Sequence, residues 1–350
     1  MGKSLSLQLR YWSASELGRQ RADELRRVLG VACFSVGSEQ ALAALDIPQA
    51  YIHVPPLIPG PALCEAWVTD PPLRQGVHGK LRYCCSESIL FGVLTTVENA
   101  STTRPGDLSP GFACVVERMY SDIFDALDVL GFPHLWRVWN HVPDINRESD
   151  GLERYRQFNI GRQDAFKAHG RSTVGVSVPA ASTVGLASNA PLVVHFIAAC
   201  QPATAIENPR QISAYHYPEL YGPRSPTFSR ATLAEVGGHP VLFVSGTASI
   251  VGHQTQHAGN VVAQARETLR NIESILDQVR RHGEAYARPS DLLYKVYVRY
   301  PQDRSAVAAE LRRSVGDQVQ AVYLQADICR RNLLVEIEAT ALYADMVSTC

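Results

Sequence analysis

Apolar positions along the chain change their period several times, and each change marks an element. Near the amino terminus, Ser13-Ala-Ser-Glu16 is a capping box, a hydroxyl and a carboxyl spaced to satisfy the free N–H groups of a helix start. It predicts a helix that ends before Gly30. The stretch from 54 to 72 is rich in proline, which lacks the N–H that helices and ladders need. It is predicted as loop with short extended pieces.

Beyond residue 88 a longer pattern occurs twice. In the first copy an extended run at 88–96 leads to a helix over 113–130, with Val116, Met119, Ile123, Leu127 and Leu130 on its apolar face and Gly131 as its stop. A strand over 135–142 ends at Pro143-Asp144, a second helix covers 152–168, and extended runs at 172–178 and 192–199 close the copy. The second copy has an extended run at 240–250, a helix over 261–281 and a strand over 292–300 that ends at Pro301-Gln302. A helix near 305–315 and strands at 320–326 and 333–342 complete it. Val138-Trp-Asn-His-Val-Pro-Asp144 matches Val296-Tyr-Val-Arg-Tyr-Pro-Gln302 in spacing and turn chemistry, which reads as an internal duplication. The expected fold class is α+β: two related units with mixed sheets and helices on one face. The first unit, with a Pro-rich extension, spans 1–200, a joining segment spans 201–238, and the second unit spans 239–350.

Composition narrows the function. The 350 residues exceed the roughly 250–300 at which a single core stops growing. With 46% hydrophobic and 19% charged residues, the chain suits packed cores rather than disorder. Lys and Arg number 33 against 34 Asp and Glu, so no global field exists to hold nucleic acid, though a local basic pocket remains open. No run reaches the roughly 20 apolar residues of a membrane helix, and the amino terminus lacks a signal core. The eight cysteines include no C-x-x-C pair and read as reduced thiols, which leads to a cytoplasmic expectation. His253 and His257 have i, i+4 spacing but lack the glutamate of a zinc protease. No P-loop, dinucleotide fingerprint or nucleophile elbow occurs, so neither metal nor cofactor is expected.

The second copy resembles the RidA (YjgF) family of small α+β domains in Val244-Ser-Gly246, in the segment 260–276 and in Leu334-Val-Glu-Ile-Glu-Ala339. The arginine of that family's imine deaminases has no counterpart near Ala321-Val-Tyr323, so the resemblance does not extend to imine hydrolysis. Nearly the whole chain resembles the chorismatases. That likeness rests on Leu152-Glu-Arg-Tyr-Arg-Gln-Phe-Asn-Ile-Gly-Arg162, Asn208-Pro-Arg-Gln-Ile-Ser-Ala-Tyr-His-Tyr217 and Tyr221-Gly-Pro-Arg-Ser-Pro-Thr-Phe-Ser-Arg230. Ser245-Gly-Thr-Ala-Ser249 and Cys329, seven residues before Glu336, add to it.

The resemblance implies an enzyme that removes the enolpyruvyl side chain of chorismate and releases pyruvate. One branch of the family hydrolyses chorismate to a cyclohexadiene diol acid. Another aromatises the ring to 3-hydroxybenzoate, and a related enzyme also yields 4-hydroxybenzoate. The hydrolytic branch carries Ala in place of Gly246 and a small non-thiol residue in place of Cys329, so this chain is similar to the aromatising branch. The rival expectations are hydrolysis and a non-enzymatic module that binds metabolites or a partner. RidA domains usually trimerise, but a duplicated chain can satisfy such surfaces internally, so monomer and trimer both stay open.

Chorismate has two carboxylates, and the arginine fork suits a planar carboxylate best. Arg162, Arg210, Arg224 and Arg230 are candidates, and the family motif singles out Arg162 and Arg224 against a surface-charge role. Tyr155 lies two turns before Arg162 on one helix face, so both can address one ligand. Tyr215 and Tyr217 would point the same way from an extended strand. Tyr155 and Tyr215 are read as substrate contacts, and Tyr217 as a half-buried core residue. Cleavage of a vinyl ether starts with protonation of the enol carbon, which calls for a carboxyl kept protonated by burial. Glu336 and Glu338 share one face of an otherwise apolar strand. The resemblance makes Glu336 the acid and Glu338 its support, and gives Cys329 a part in shaping the ring pocket or handling a proton. Gly246 serves either close approach of a ligand or a positive φ, and the resemblance implies the first, with a methyl group there occupying space beside the ring.

Overall fold

The computed structural model describes residues 6–35, 42, 45–57, 62–98, 111–283 and 288–342, so Cys350 lies outside the described residues. Three large sheets organise them. In the first repeat the central strand Leu192–Ala199 runs antiparallel to both Ile89–Thr96 and His134–Pro143, and His134–Pro143 is parallel to Ala180–Leu186. In the second, Val335–Leu342 runs antiparallel to His239–Ala248 and Leu293–Val298, and Leu293–Val298 is parallel to Gln320–Gln325. The duplication therefore extends to the pairing pattern. It also holds in register: Val138 faces Phe196 as Val296 faces Ile337. Arg137 thus corresponds to Lys295, Trp139 to Tyr297, and His195 to Glu336.

Strand residues alternate between two faces. Val138, Val194 and Phe196 pack under the helices Phe112–Leu130 and Arg154–Ala168. In the second repeat Val296 and Ile337 pack under Val261–Arg281 and Arg304–Val315. The opposite faces of both sheets meet in one shared core with Phe91, Trp139, Phe243 and Tyr297. Helix Phe112–Leu130 ends at Gly131, whose φ of 80° permits the left-handed cap.

The amino-terminal part differs from its expectation. Ser13 and Glu16 do form a capping box, but the helix is only Ala14–Gly18, followed by Ala22–Leu25. Val28–Phe34, including Gly30, is a buried strand. A short apolar run of this kind reads as helix or strand from sequence, and its ladders decide the matter. The Pro-rich stretch contains a further buried strand, Leu63–Thr69. These strands join Leu7–Ser13 and Gln49–Ile52 in a four-stranded sheet that adds Phe34 and Trp67 to the shared core. The run at 172–178 is not a strand. Ser172 hydrogen-bonds locally to Val174, and Gly175 turns the chain at φ 80°, so extension begins with Ala180–Leu186.

One crossover places the site. After Gln320–Gln325 the chain leaves its own sheet, and Asp327–Ile328 pairs with Val184 and Gly185 of the first repeat. Residue 329 therefore emerges between the repeats. Among the described residues, no helix is long and apolar enough to cross a membrane.

Candidate active site

A cavity of about 500 Å³ lies where the repeats meet. The start of helix Arg154–Ala168 supplies Tyr155 and Arg156, and the segment between the repeats supplies Tyr217, Tyr221, Phe228 and Arg230. Gly246, Ala248 and Glu336 come from the second sheet, and Cys329, Arg330 and Arg331 follow the crossover.

Glu336 reaches this cavity because Val335 and Ile337 point to the helices, which turns the residue between them to the other face. Its carboxyl is almost fully buried. Burial first, and the charge of Glu338 second, push it up to about 8 against the opposing pull of Arg137. Cys329 Sγ lies 3.9 Å from Oε2, and burial foremost raises that thiol to about 12. Burial likewise pushes the Tyr155 phenol well up. At neutral pH the inner wall thus presents a carboxylic acid, a thiol and a phenol, all protonated.

Gly246 does not adopt a positive φ. It lies where the ladder between His239–Ala248 and Val335–Leu342 slips between Val244 and Thr247. Such a bulge re-aims the strand and opens room beside it. A Cβ on Gly246 would stand 2.1 Å from Oε1 of Glu336, so the approach of this carboxyl, rather than a positive φ, is what requires glycine here.

Cations line the same cavity. Arg230 is buried and donates to the Ile212 carbonyl at 2.7 Å and to the Tyr217 hydroxyl at 2.9 Å. The Arg330 guanidinium lies 4.0 Å from the ring centre of Tyr221 and donates to the His253 carbonyl at 2.9 Å. Arg299 clips the segment in place, donating to the carbonyls of Ile328, Arg330 and Leu333. Arg156 and Arg331 complete the basic wall, with Glu148 and Glu153 beside them. The arrangement suits an organic anion whose apolar part lies between rings and whose reacting carbon meets a buried acid.

Tyr155, Gly246, Cys329 and Glu336 therefore come together as the sequence predicted, while Arg162, Tyr215 and Arg224 do not line the cavity. Seven residues advance a helix by about 10.5 Å. That carries Arg162 into the layer between helices, over the rings of Tyr120 and Phe166, where Nε and Nη2 have no partner among the described residues. Arg224 is 44% exposed and pairs with Asp164 at 3.3 Å. Tyr215 belongs to a 3-10 turn, Ala214–His216, rather than a strand, so strand alternation fails. Its ring packs edge-on against His216, and Tyr217, read as core, lines the cavity instead. Arg156, Tyr221, Arg330 and Arg331 were not singled out from sequence. The Arg330-Arg331 pair directly after Cys329 was the available signal. Arg210 lies elsewhere, bonded to Asn271 and Glu267. His253 and His257 turn to different partners, Tyr221 and Glu267.

Residues 65–198 match the model of the amino-terminal domain of FkbO/Hyg5-like chorismatases. A chorismatase of Streptomyces rapamycinicus is 36% identical over 336 residues, which span 94% of this chain and 96% of that protein. A 3-hydroxybenzoate synthase of Streptomyces hygroscopicus is 34% identical over 333 residues, 91% of this chain and 92% of its own. A chorismatase crystal structure superposes with a TM-score of 0.85 at 31% identity, covering 97% of this chain and all of the other. With about a third of its residues shared along almost its whole length, this chain belongs to the chorismatase family.

Proposed function

We propose that the protein converts chorismate to 3-hydroxybenzoate and pyruvate without a cofactor. The observation that carries this reading is Glu336: a carboxyl kept protonated at neutral pH, opening into a cavity with an arginine-rich wall. The substrate's two carboxylates meet Arg230 and Arg330, and its ring lies against Tyr155, Tyr217 and Phe228. Glu336 protonates the enolpyruvyl methylene carbon. The ring 4-hydroxyl then attacks the neighbouring ring carbon, the bond to the side-chain oxygen breaks, and pyruvate leaves. The resulting epoxide opens, the carbon that held the side chain loses its proton, and the ring becomes aromatic. That proton returns to the Glu336 carboxylate, with Cys329 beside it. Substrate and products have the same atoms, so no water or oxidant is consumed. Gly246 leaves room for the ring beside the acid.

The seven described cysteines are free thiols, consistent with action in a reducing cytoplasm. Incubation of the purified protein with chorismate, followed by chromatography, tests the reading. Equal amounts of pyruvate and 3-hydroxybenzoate are expected, with 4-hydroxybenzoate as an accompanying product at most. A diol acid in place of the phenol would make the enzyme a hydrolase. No pyruvate would make the protein a binding module.

A further inference from the structure

Glu338 lies two residues beyond Glu336 on the same face of strand Val335–Leu342, and both are buried. Their surroundings differ. Glu336 opens to the cavity, with the Cys329 thiol nearby. Glu338 is enclosed: it accepts from Arg137 Nη2 at 2.6 Å, Lys295 Nζ at 2.8 Å, Trp139 Nε1 at 2.8 Å and Ser182 Oγ. Arg137 and Lys295 occupy equivalent places in the two repeats, so the duplication aims one cation at Glu338 from each side. Lys295 also reaches Glu65 of the amino-terminal sheet at 2.6 Å, and Tyr11 donates to Glu65 at 3.1 Å. Two carboxylates and two cations thus form a charge chain through the core shared by the three sheets. Apolar residues of similar volume often stabilise a fold as well as such a network, so stability alone does not account for it.

Several other groups face Glu336. Tyr297 is its register partner, and Lys295 lies on the same neighbouring strand. Arg137 comes from the first repeat, Cys329 and Arg330 from the crossover segment, and Tyr155 and Glu153 from the helix start. Strand His239–Ala248 contributes Gly246 and Ala248, which do not titrate. Glu338 is the anion among these that is locked by cations on both sides.

We propose that Glu338 is a positioning residue for the reaction proposed above: clamped in its ionised form by Arg137 and Lys295, it sets a fixed negative charge behind Glu336 and so keeps the proton on that carboxyl until the enol carbon takes it. Burial works to raise the Glu338 carboxyl, but Lys295 and Arg137 outweigh it and hold the group down at about 2. The same fixed charge acts after proton transfer. Two adjacent buried carboxylates repel, which favours return to Glu336 of the proton that the ring gives up.

The proposal is tested on the full-length protein with Glu338→Gln, which keeps the shape and removes the charge, and Glu338→Asp, which restores the charge. The readout is the pH profile of kcat/KM for pyruvate release from chorismate. In Glu338→Gln the alkaline limb should move down by about one pH unit or more, a loss of roughly fivefold or more near pH 8 beyond any loss near pH 6. In Glu338→Asp the limb should stay near the wild-type position even if the rate is lower. A Glu338→Gln limb at the wild-type pH overturns the proposal. Carboxyl infrared spectra of the ligand-free wild type, with Glu336→Gln as the difference reference, need neither a folded Glu338 variant nor turnover. At about pH 6 they should show the Glu336 carboxyl protonated, and an ionised Glu336 there overturns the proposal. Failure of the functional reading would show separately, as absence of pyruvate from the wild type.

Discussion

Gly246 and Glu336 approach so closely that a methyl group on the glycine would stand 2.1 Å from the acid's Oε1 and 2.8 Å from its Cδ. The bulge in the ladder and the missing side chain together define where the carboxyl can sit. Ser182 Oγ, which binds Glu338, lies 3.1 Å from the same point. The site therefore has little slack around its acid.

Gly246→Ala should fold, because the backbone there needs no left-handed conformation and the clash falls on the movable end of a side chain. The carboxyl must shift, and a misplacement of about 1 Å can cost on the order of 100-fold in an aligned step. Intramolecular attack by the ring hydroxyl is expected to suffer more than protonation, leaving water to compete. Chromatography should find pyruvate still released, with part of the ring product diverted to the diol acid. An unchanged product mixture from folded protein would remove Gly246 from product choice.

Glu336→Gln keeps the shape and loses the acid proton. Pyruvate release should fall by at least ~100-fold, the usual worth of a positioned general acid. A thermal melt near that of the wild type would separate lost chemistry from lost structure. Turnover close to wild type would move the acid elsewhere.

The wild-type pH profile follows from the same group. Its acid form is the active one, so kcat/KM should hold at neutral pH and fall as pH rises through about 8. A profile that stays flat from about pH 6 to about pH 9 would be incompatible with Glu336 as the proton source.

The duplication was legible because its signals are local: apolar periods, glycine stops and predicted strands followed by Pro143 and Pro301. Glu336, Cys329 and Gly246 were legible because a family motif attaches to particular positions. The amino-terminal sheet was not, since Val28–Phe34 pairs with Leu63–Thr69 across an intervening loop and strand, and neither run declares its partner. The choice of arginines was also hidden. A shared helix face puts Tyr155 and Arg162 in line but two turns apart, and the cavity takes in Tyr155 but not Arg162. Arg330 gains its place only from the crossover of Asp327–Ile328 onto the first repeat, a long-range pairing with no periodic signature.

Arg330→Ala and Arg224→Ala separate the two sets of cations. A charged hydrogen bond to a carboxylate is worth roughly 1.5–3 kcal/mol, on the order of 10- to 100-fold in KM. Arg330→Ala should show that increase. Arg224→Ala, which removes an exposed pair with Asp164, should leave KM within about twofold. The opposite pattern in steady-state kinetics would return the carboxylate contact to Arg224.

Lys295→Met tests the charge chain that joins the three sheets. The lysine is buried and touches both Glu65 and Glu338, so its loss leaves two buried carboxylates short of a counter-charge. Breaking a buried pair in this way costs about 3–5 kcal/mol, which urea midpoints at neutral pH should record. The deficit should shrink on acidification, and the sign follows from linkage. In the wild type the Glu338 carboxyl is held near 2, so its stabilising contribution is present above its ordinary value of 4.5 and is lost as pH falls from there. In the variant Glu338 loses a cation, its folded value rises, and the destabilisation it causes disappears once acid protonates it. Urea midpoints for the two proteins should therefore lie closer together at about pH 4 than at about pH 7. Equal gaps at both values would mean that Lys295 contributes by packing against Phe34 and Trp139 rather than by balancing charge.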